Sequence, residues 1–225
     1  MDSDTSLVED KQSLLIGTKI SKYYSDYYFD YCKREMNRKI KDEPYQRMED
    51  GACGLEIFKN YPDSRMTVTD QAGGFILGGN YKYEEYTPSI QWKIENDTTT
   101  ILTYSCQKAT TTFRGRKYTA WFAPEIPSNN GPWKFGGLPG LILKIYEESH
   151  SYMFECVGIK QLEKPVPIKI YNLKYITLKR EEMDKIYRRY FKDPIQFWKL
   201  TGSQADGQIT ASDIPKMIYD PIELE

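Results

Sequence analysis

The chain holds a single imidazole, His150. A metal centre built on several histidines is therefore excluded, and a His-dependent base has this one candidate. His150 stands in Glu147-Glu148-Ser149-His150, which reads as a polar turn between two strands. Solvation in that turn explains it more simply than catalysis does. Glu84-Glu85 and Glu147-Glu148 are adjacent carboxylates. Neighbours on a strand point to opposite faces, so neither pair converges as a general acid and base must. Asp63, Asp70 and Asp97 lie near turn signals, where Asp serves the backbone. Gly73-Gly74 and Gly78-Gly79 lack the strand–loop–helix setting of a phosphate loop, and no Gly-Lys-Ser/Thr follows. The cysteines, at 32, 53, 106 and 156, form no Cys-x-x-Cys pair. The expectation is no catalytic residue, no metal and no cofactor.

The densest signal runs from 121 to 143. It opens with Trp121-Phe122-Ala123-Pro124 and continues as Gly131-Pro132-Trp133-Lys134-Phe135-Gly136-Gly137-Leu138-Pro139-Gly140-Leu141-Ile142-Leu143. Proline fixes φ and glycine permits positive φ, so the backbone path is restricted. The hydrophobic residues among them need something to cover. One reading is a rigid loop folded over the end of a sheet and feeding strand 141–146. The other is a binding site that presents aromatics on a rigid frame. If φ at Gly140 is positive, Gly140→Val should cost about 1–3 kcal/mol.

Composition sets the limits around this loop. With 225 residues the chain is long enough for one large domain and needs no disulfide to fold. Lys plus Arg is 31 and Asp plus Glu is 32, for a net charge of −1, which removes a chain-wide drive toward nucleic acid or anionic membrane. The 19 tyrosines lean toward strands, where aromatic side chains fit the pleated surface. No apolar run reaches the 18 residues of a membrane-spanning helix. Met1-Asp2-Ser3-Asp4-Thr5 is polar and acidic, the opposite of a signal peptide. The chain is then either cytosolic or the remainder after a signal was removed. The four cysteines are either free core thiols or one or two disulfides.

The elements that must position the loop follow from periodicity. Residues 7–50 read as a partly helical segment. Ser21 is its N-cap, and Tyr24, Tyr27, Tyr28 and Tyr31 form a stripe on one helix face. From 54 to 175 the period is two. Strands 55–59 and 65–69 flank the turn Tyr61-Pro62-Asp63-Ser64. Ile90, Trp92 and Ile94 alternate with polar residues, Asn96-Asp97 breaks that strand, and 99–112 resumes it. Gly115 marks a turn before strand 117–123, and 141–146 pairs with 152–159. Strands joined by short turns without helices predict an antiparallel meander. Thr177 caps a helix whose apolar face is Met183, Ile186, Tyr187 and Tyr190. Asp193-Pro194 interrupts it, one more turn follows, and residues 202–213 are loop. The expected fold is mainly β (α+β): one domain over 1–225, with a single curved antiparallel sheet. Helices near the N- and C-termini pack on it, the latter over 177–200, and 201–225 forms a tail.

Gly137-Leu138-Pro139-Gly140-Leu141-Ile142 resembles the signature of the GLPGLI family of uncharacterised Bacteroidetes proteins. Five more segments resemble family motifs in the same order. They are Ser21-Lys22-Tyr23-Tyr24-Ser25, Cys106-Gln107-Lys108-Ala109, Phe113-Arg114-Gly115-Arg116, Ala120-Trp121 and Gly131-Pro132-Trp133-Lys134-Phe135. The resemblance spans roughly residues 14 to 200. It implies an exported, periplasmic or envelope-associated protein whose signal peptide has been removed. Export implies an oxidising compartment and at least one disulfide, with Cys106–Cys156 and Cys32–Cys53 as candidate pairs. The family implies no reaction.

The functional expectation is a non-catalytic envelope protein that binds a partner or ligand through loop 121–143. Trp121, Trp133, Lys134 and Phe135 are its contacts, and Arg114 and Arg116 supply an anion contact in a neighbouring turn. The first alternative is a carrier or chaperone for an apolar small molecule, held in a groove of several hundred Å3 in a curved sheet. The second is an enzyme of unfamiliar type, marked by a buried carboxylate in a cleft.

Overall fold

Alternating side chains and short turns do build a mainly β protein, but with two sheets where one was expected. The computed structural model describes residues 9–30, 54–70, 79–201 and 219–224. They divide into two compact units, Met1–Tyr86 with Ile168–Tyr219, and Thr87–Pro167 with Asp220–Glu225.

The first unit carries a six-stranded sheet of β1 (Gln12–Ile16), β2 (Ile20–Ser25), β3 (Leu55–Asn60), β4 (Arg65–Asp70), β5 (Asn80–Tyr86) and β11 (Tyr175–Thr177), in the order β1-β2-β3-β4-β5-β11. The β3–β4 hairpin forms as its turn residues predict, with Asn60 facing Arg65 and the Asn60 amide donating to Asp63 at 2.6 Å. The N-terminal expectation is corrected. Residues 20–25 are strand, and Ser21 pairs with Lys59 on β3 rather than capping a helix. Residues 26–30 are helical (α1), so Tyr24 lies on a strand and Tyr27 and Tyr28 on a helix. Tyr31 lies outside the described residues. Four tyrosines at i, i+3, i+4 and i+7 fit a helix, but two β-compatible residues, Tyr23 and Tyr24, opened the run. Burial against β3 outweighed local helical spacing.

Strand β3 is buried along Glu56–Lys59 and therefore covered on both faces. One face carries Tyr23, Ile57, Met66, Val68, Tyr81 and Tyr83, all buried. The same face holds Lys59, and also Asp70, which accepts a hydrogen bond from the Tyr187 hydroxyl. The opposite face carries Lys22 paired with Glu56, both buried, and Thr69 donates to Glu56 at 3.3 Å. The Lys22 ammonium lies 4.6 Å from the ring centre of Tyr24, 5.1 Å from Tyr171 and 5.4 Å from Phe29 and Phe58. Four rings and a carboxylate replace the water this cation loses.

Strand β11 runs parallel to β5, which no turn signal announced, because a parallel pair needs a long crossover. Thr177 ends β11 and is not a helix cap. Lys179 caps helix α2 (Arg180–Lys192), with Glu182 accepting its backbone N–H at 2.7 Å. Of the expected apolar face, Met183 is buried. Asp193 ends α2 as expected, and its carboxylate caps α3 (Pro194–Thr201) through the Gln196 amide at 2.9 Å. Residues 202–213 lie outside the described residues.

The second unit is an antiparallel meander of β6 (Lys93–Ile101), β7 (Tyr104–Phe113), β8 (Arg116–Ala123), β9 (Leu141–Glu147) and β10 (Met153–Glu155), in the order β10-β9-β8-β7-β6. Asn96-Asp97 does not end the strand. It lies in a bulge between Ile94 and Thr98, which absorbs the poor strand formers while β6 continues. The β6–β7 turn at Leu102-Thr103 carried no glycine to reveal it, and Leu102 adopts a φ of 55°. The turn expected at Gly115 joins β7 to β8, and Arg114 and Gly115, at φ 46° and 79°, give it the two-residue primed form. No described helix is long and apolar enough to cross a membrane.

Burial alone pushes the Lys59 ammonium down from its ordinary 10.5 to about 7. Between those values the unfolded chain binds a proton that the folded chain does not, so stability rises with pH there. Urea denaturation should show wild type gaining on Lys59→Met from pH 7 to 10, by up to about 1.4 kcal/mol per pH unit. Below pH 7 the difference should be flat. A flat difference throughout rules out the shift.

Candidate functional site

The β8–β9 connection is held along its backbone. The Gly137 amide donates to Asn129 at 2.8 Å, Ile142 to Asn130 at 3.0 Å and Leu141 to Ile126 at 3.2 Å. The Trp92 indole donates to the Gly136 carbonyl at 2.9 Å. Gly140 has no positive φ, so the reason expected for this glycine is corrected. A Cβ there would meet the Ala123 carbonyl oxygen at 2.3 Å and the Pro124 Cα at 2.9 Å. Contact with backbone excludes a side chain. Gly137 is the left-handed one, at φ 88°, and a Cβ there would make only ordinary contact with the Trp92 indole nitrogen at 3.9 Å. Within the GLPGLI stretch, Leu138, Leu141 and Ile142 are buried, while Gly137 and Pro139 are exposed. A bulge opposite Trp121 and Phe122 lets Leu141, Ile142 and Leu143 all turn inward.

The six expected contact residues separate into three settings. Trp133 and Phe135 are buried, and Phe135 packs edge-on against Phe113 at 5.8 Å, Tyr118 at 4.7 Å and Phe154 at 6.5 Å. These two rings are core, not surface.

Lys134, Arg114 and Arg116 form a cradle around residues 220–224. The buried Lys134 ammonium lies 2.6 Å from the Glu223 carboxylate, which Arg114 also pairs. Arg116 pairs with Asp220 and donates twice to the Pro221 carbonyl, at 2.7 and 3.2 Å. The Tyr118 hydroxyl donates to the Ile222 carbonyl at 2.9 Å and the Tyr152 hydroxyl to that of Asp220. The Leu224 amide donates to Arg114 at 3.0 Å. Glu147 lies 3.9 Å from Arg116 on the inner side. Burial works against its charge, yet hydrogen bonds from Ser149 and Ser151 hold its carboxyl below the usual range. Burial pushes the Tyr118 hydroxyl up, well above the ordinary tyrosine value, so it stays a neutral donor.

Trp121, half-buried, lines an open groove of about 710 Å3 on the outer face of this sheet. Ile101, Leu102, Lys144, Tyr146, His150 and Met153 line it with Trp121. His150 adopts φ 60° and stacks on Tyr146 at 4.9 Å, and Lys144 pairs with Glu155 at 2.8 Å. Cys156 lines the groove and Cys106 is buried on β7, both as free thiols. Their Sγ atoms donate to Gly158 and Tyr104. Burial pushes the Cys106 thiol up. Cys32 and Cys53 lie outside the described residues. No cluster of three metal-ligating side chains occurs among the described residues.

Sequence reasoning missed the acceptors of the cradle, Asp220 and Glu223, and two of its donors, Tyr118 and Tyr152. The only signal was an acidic pair spaced around Pro221-Ile222 in an otherwise unreadable tail.

Gly140→Ala should cost about 1–3 kcal/mol by overpacking. Gly137→Ala should cost about 1 kcal/mol, through φ alone. Thermal denaturation checks the order, and an equal cost rules out the steric reading. Arg116→Ala leaves Glu147 buried beside no cation and should cost about 3 kcal/mol, with Arg116→Lys recovering less than half because the fork is lost. Urea midpoints of the three proteins check this.

A family model described as a protein of unknown function (Porph_ging) matches residues 112–144. No curated protein matches the chain. Two solved structures of PNGF-II, in P21 and C2 crystal forms, share its fold at 14% and 15% identity, each with a TM-score of 0.54. Each match covers 76% of this chain and 28% of the solved one, so the chain spans little more than a quarter of that protein's length. The chain is thus similar to an uncharacterised family across the loop and its flanking strands, and to PNGF-II in fold.

Proposed function

We propose that this chain is a non-catalytic binding module and that the groove at Trp121 is its contact site. One observation carries the reading. Of the aromatic residues expected to make contacts, Trp121 alone lines open space, in a groove of about 710 Å3. Its lining is amphipathic. Trp121, Ile101 and Met153 offer apolar surface, while Lys144, His150 and Thr99 offer polar groups. That mixture suits a ligand with both an apolar body and hydrogen-bonding groups better than a wholly apolar cargo. A place in the cell envelope belongs to the same proposal and rests on the sequence resemblance.

Native mass spectrometry of protein purified from its own host tests this. Wild type should carry a bound small molecule or a stoichiometric partner, and Trp121→Ala should lose at least 90% of it while keeping its melting temperature. A bare wild-type chain, or equal retention by the variant, overturns the proposal.

A further inference from the structure

The cradle on the second unit has the chemistry of a peptide-recognition site. Its donors all come from one stretch of chain, Arg114 to Tyr152, and its occupant lies 68 to 109 positions away in sequence. Three consecutive backbone carbonyls of the occupant, on Asp220, Pro221 and Ile222, each accept from a side chain: Tyr152, Arg116 and Tyr118. Capture of main-chain carbonyls is indifferent to sequence and fixes an extended course. Specificity comes from the side chains. Asp220 meets Arg116, Glu223 meets Arg114 and Lys134, and Ile222 is buried at 9% exposure. Pro221, between the two acids, presets φ and needs no donor partner for its nitrogen.

The Arg114 and Lys134 side chains are 17% and 1% exposed, and each pairs with Glu223. Two cations largely removed from water and facing one carboxylate make the cradle favour an anion at that position.

We infer that this cradle is a receptor for acidic peptide segments of the pattern Asp-Pro-apolar-Glu, occupied in cis by residues 220–224 and able to take the same pattern in trans. The cis segment competes with the trans one, so the site opens only when its own segment leaves.

The test uses the full chain carrying Asp220→Ala and Glu223→Ala, and a fluorescent synthetic peptide, Tyr-Asp-Pro-Ile-Glu-Leu, read by anisotropy. The peptide should bind this variant at least tenfold more tightly than wild type, where the cis segment blocks it. Arg116→Ala added to the variant should abolish binding, as should Glu-to-Gln replacement in the peptide. A folded variant that binds no better than wild type overturns the inference. Where the double variant does not fold, the comparison is repeated with Glu223→Gln. Failure of both to fold also overturns it, because a segment without which the chain cannot fold is core and not an exchangeable ligand. Trp121→Ala should leave peptide binding unchanged, which separates this site from the groove.

Discussion

The second unit depends on the absence of one side chain. Gly140 passes so close to Ala123 and Pro124 that their backbone occupies the space of a Cβ. That contact closes the β8–β9 excursion on itself and lets β9 begin beside the end of β8. Once closed, the loop turns Phe135 into the aromatic cluster of Phe113, Tyr118 and Phe154 and directs Lys134 at Glu223. The GLPGLI stretch is therefore a closure device. What it positions lies on either side of it.

Charge in this protein is buried with partners on both units. Lys22 pairs with Glu56 among four aromatic rings, and Lys134 and Arg114 share Glu223. Such pairs contribute little net stability against an apolar replacement, but breaking one is costly. They restrict which segment lies where, since only a carboxylate of the right reach satisfies each cation. Lys59 differs, because burial has weakened its hold on a proton. The cradle and the groove also differ in kind. The cradle holds residues 220–224 with fixed donors, whereas the groove is open and mixed in polarity.

Much of the β architecture was legible because its signals are local. The turns at Asp63 and Gly115 and the pairing of β9 with β10 each rest on residues within a few positions. The fold missed at the N-terminus had the opposite cause. The tyrosine spacing there satisfies a helix, and only pairing with β3 makes it strand. The turn at Leu102 stayed hidden because a leucine holds a conformation that usually announces itself with glycine.

By itself the sequence determined the restricted path of loop 121–143 and the local turns and strand pairings on either side of it. These depend on residue type and short spacing. Tertiary structure decided which aromatics are core and which face a groove, and that two sheets form in place of one. It also brought Asp220 and Glu223 to cations a hundred positions away, and no periodicity can report a contact at that distance. Burial and long-range pairing are properties of the packed chain, so they are settled only when it folds.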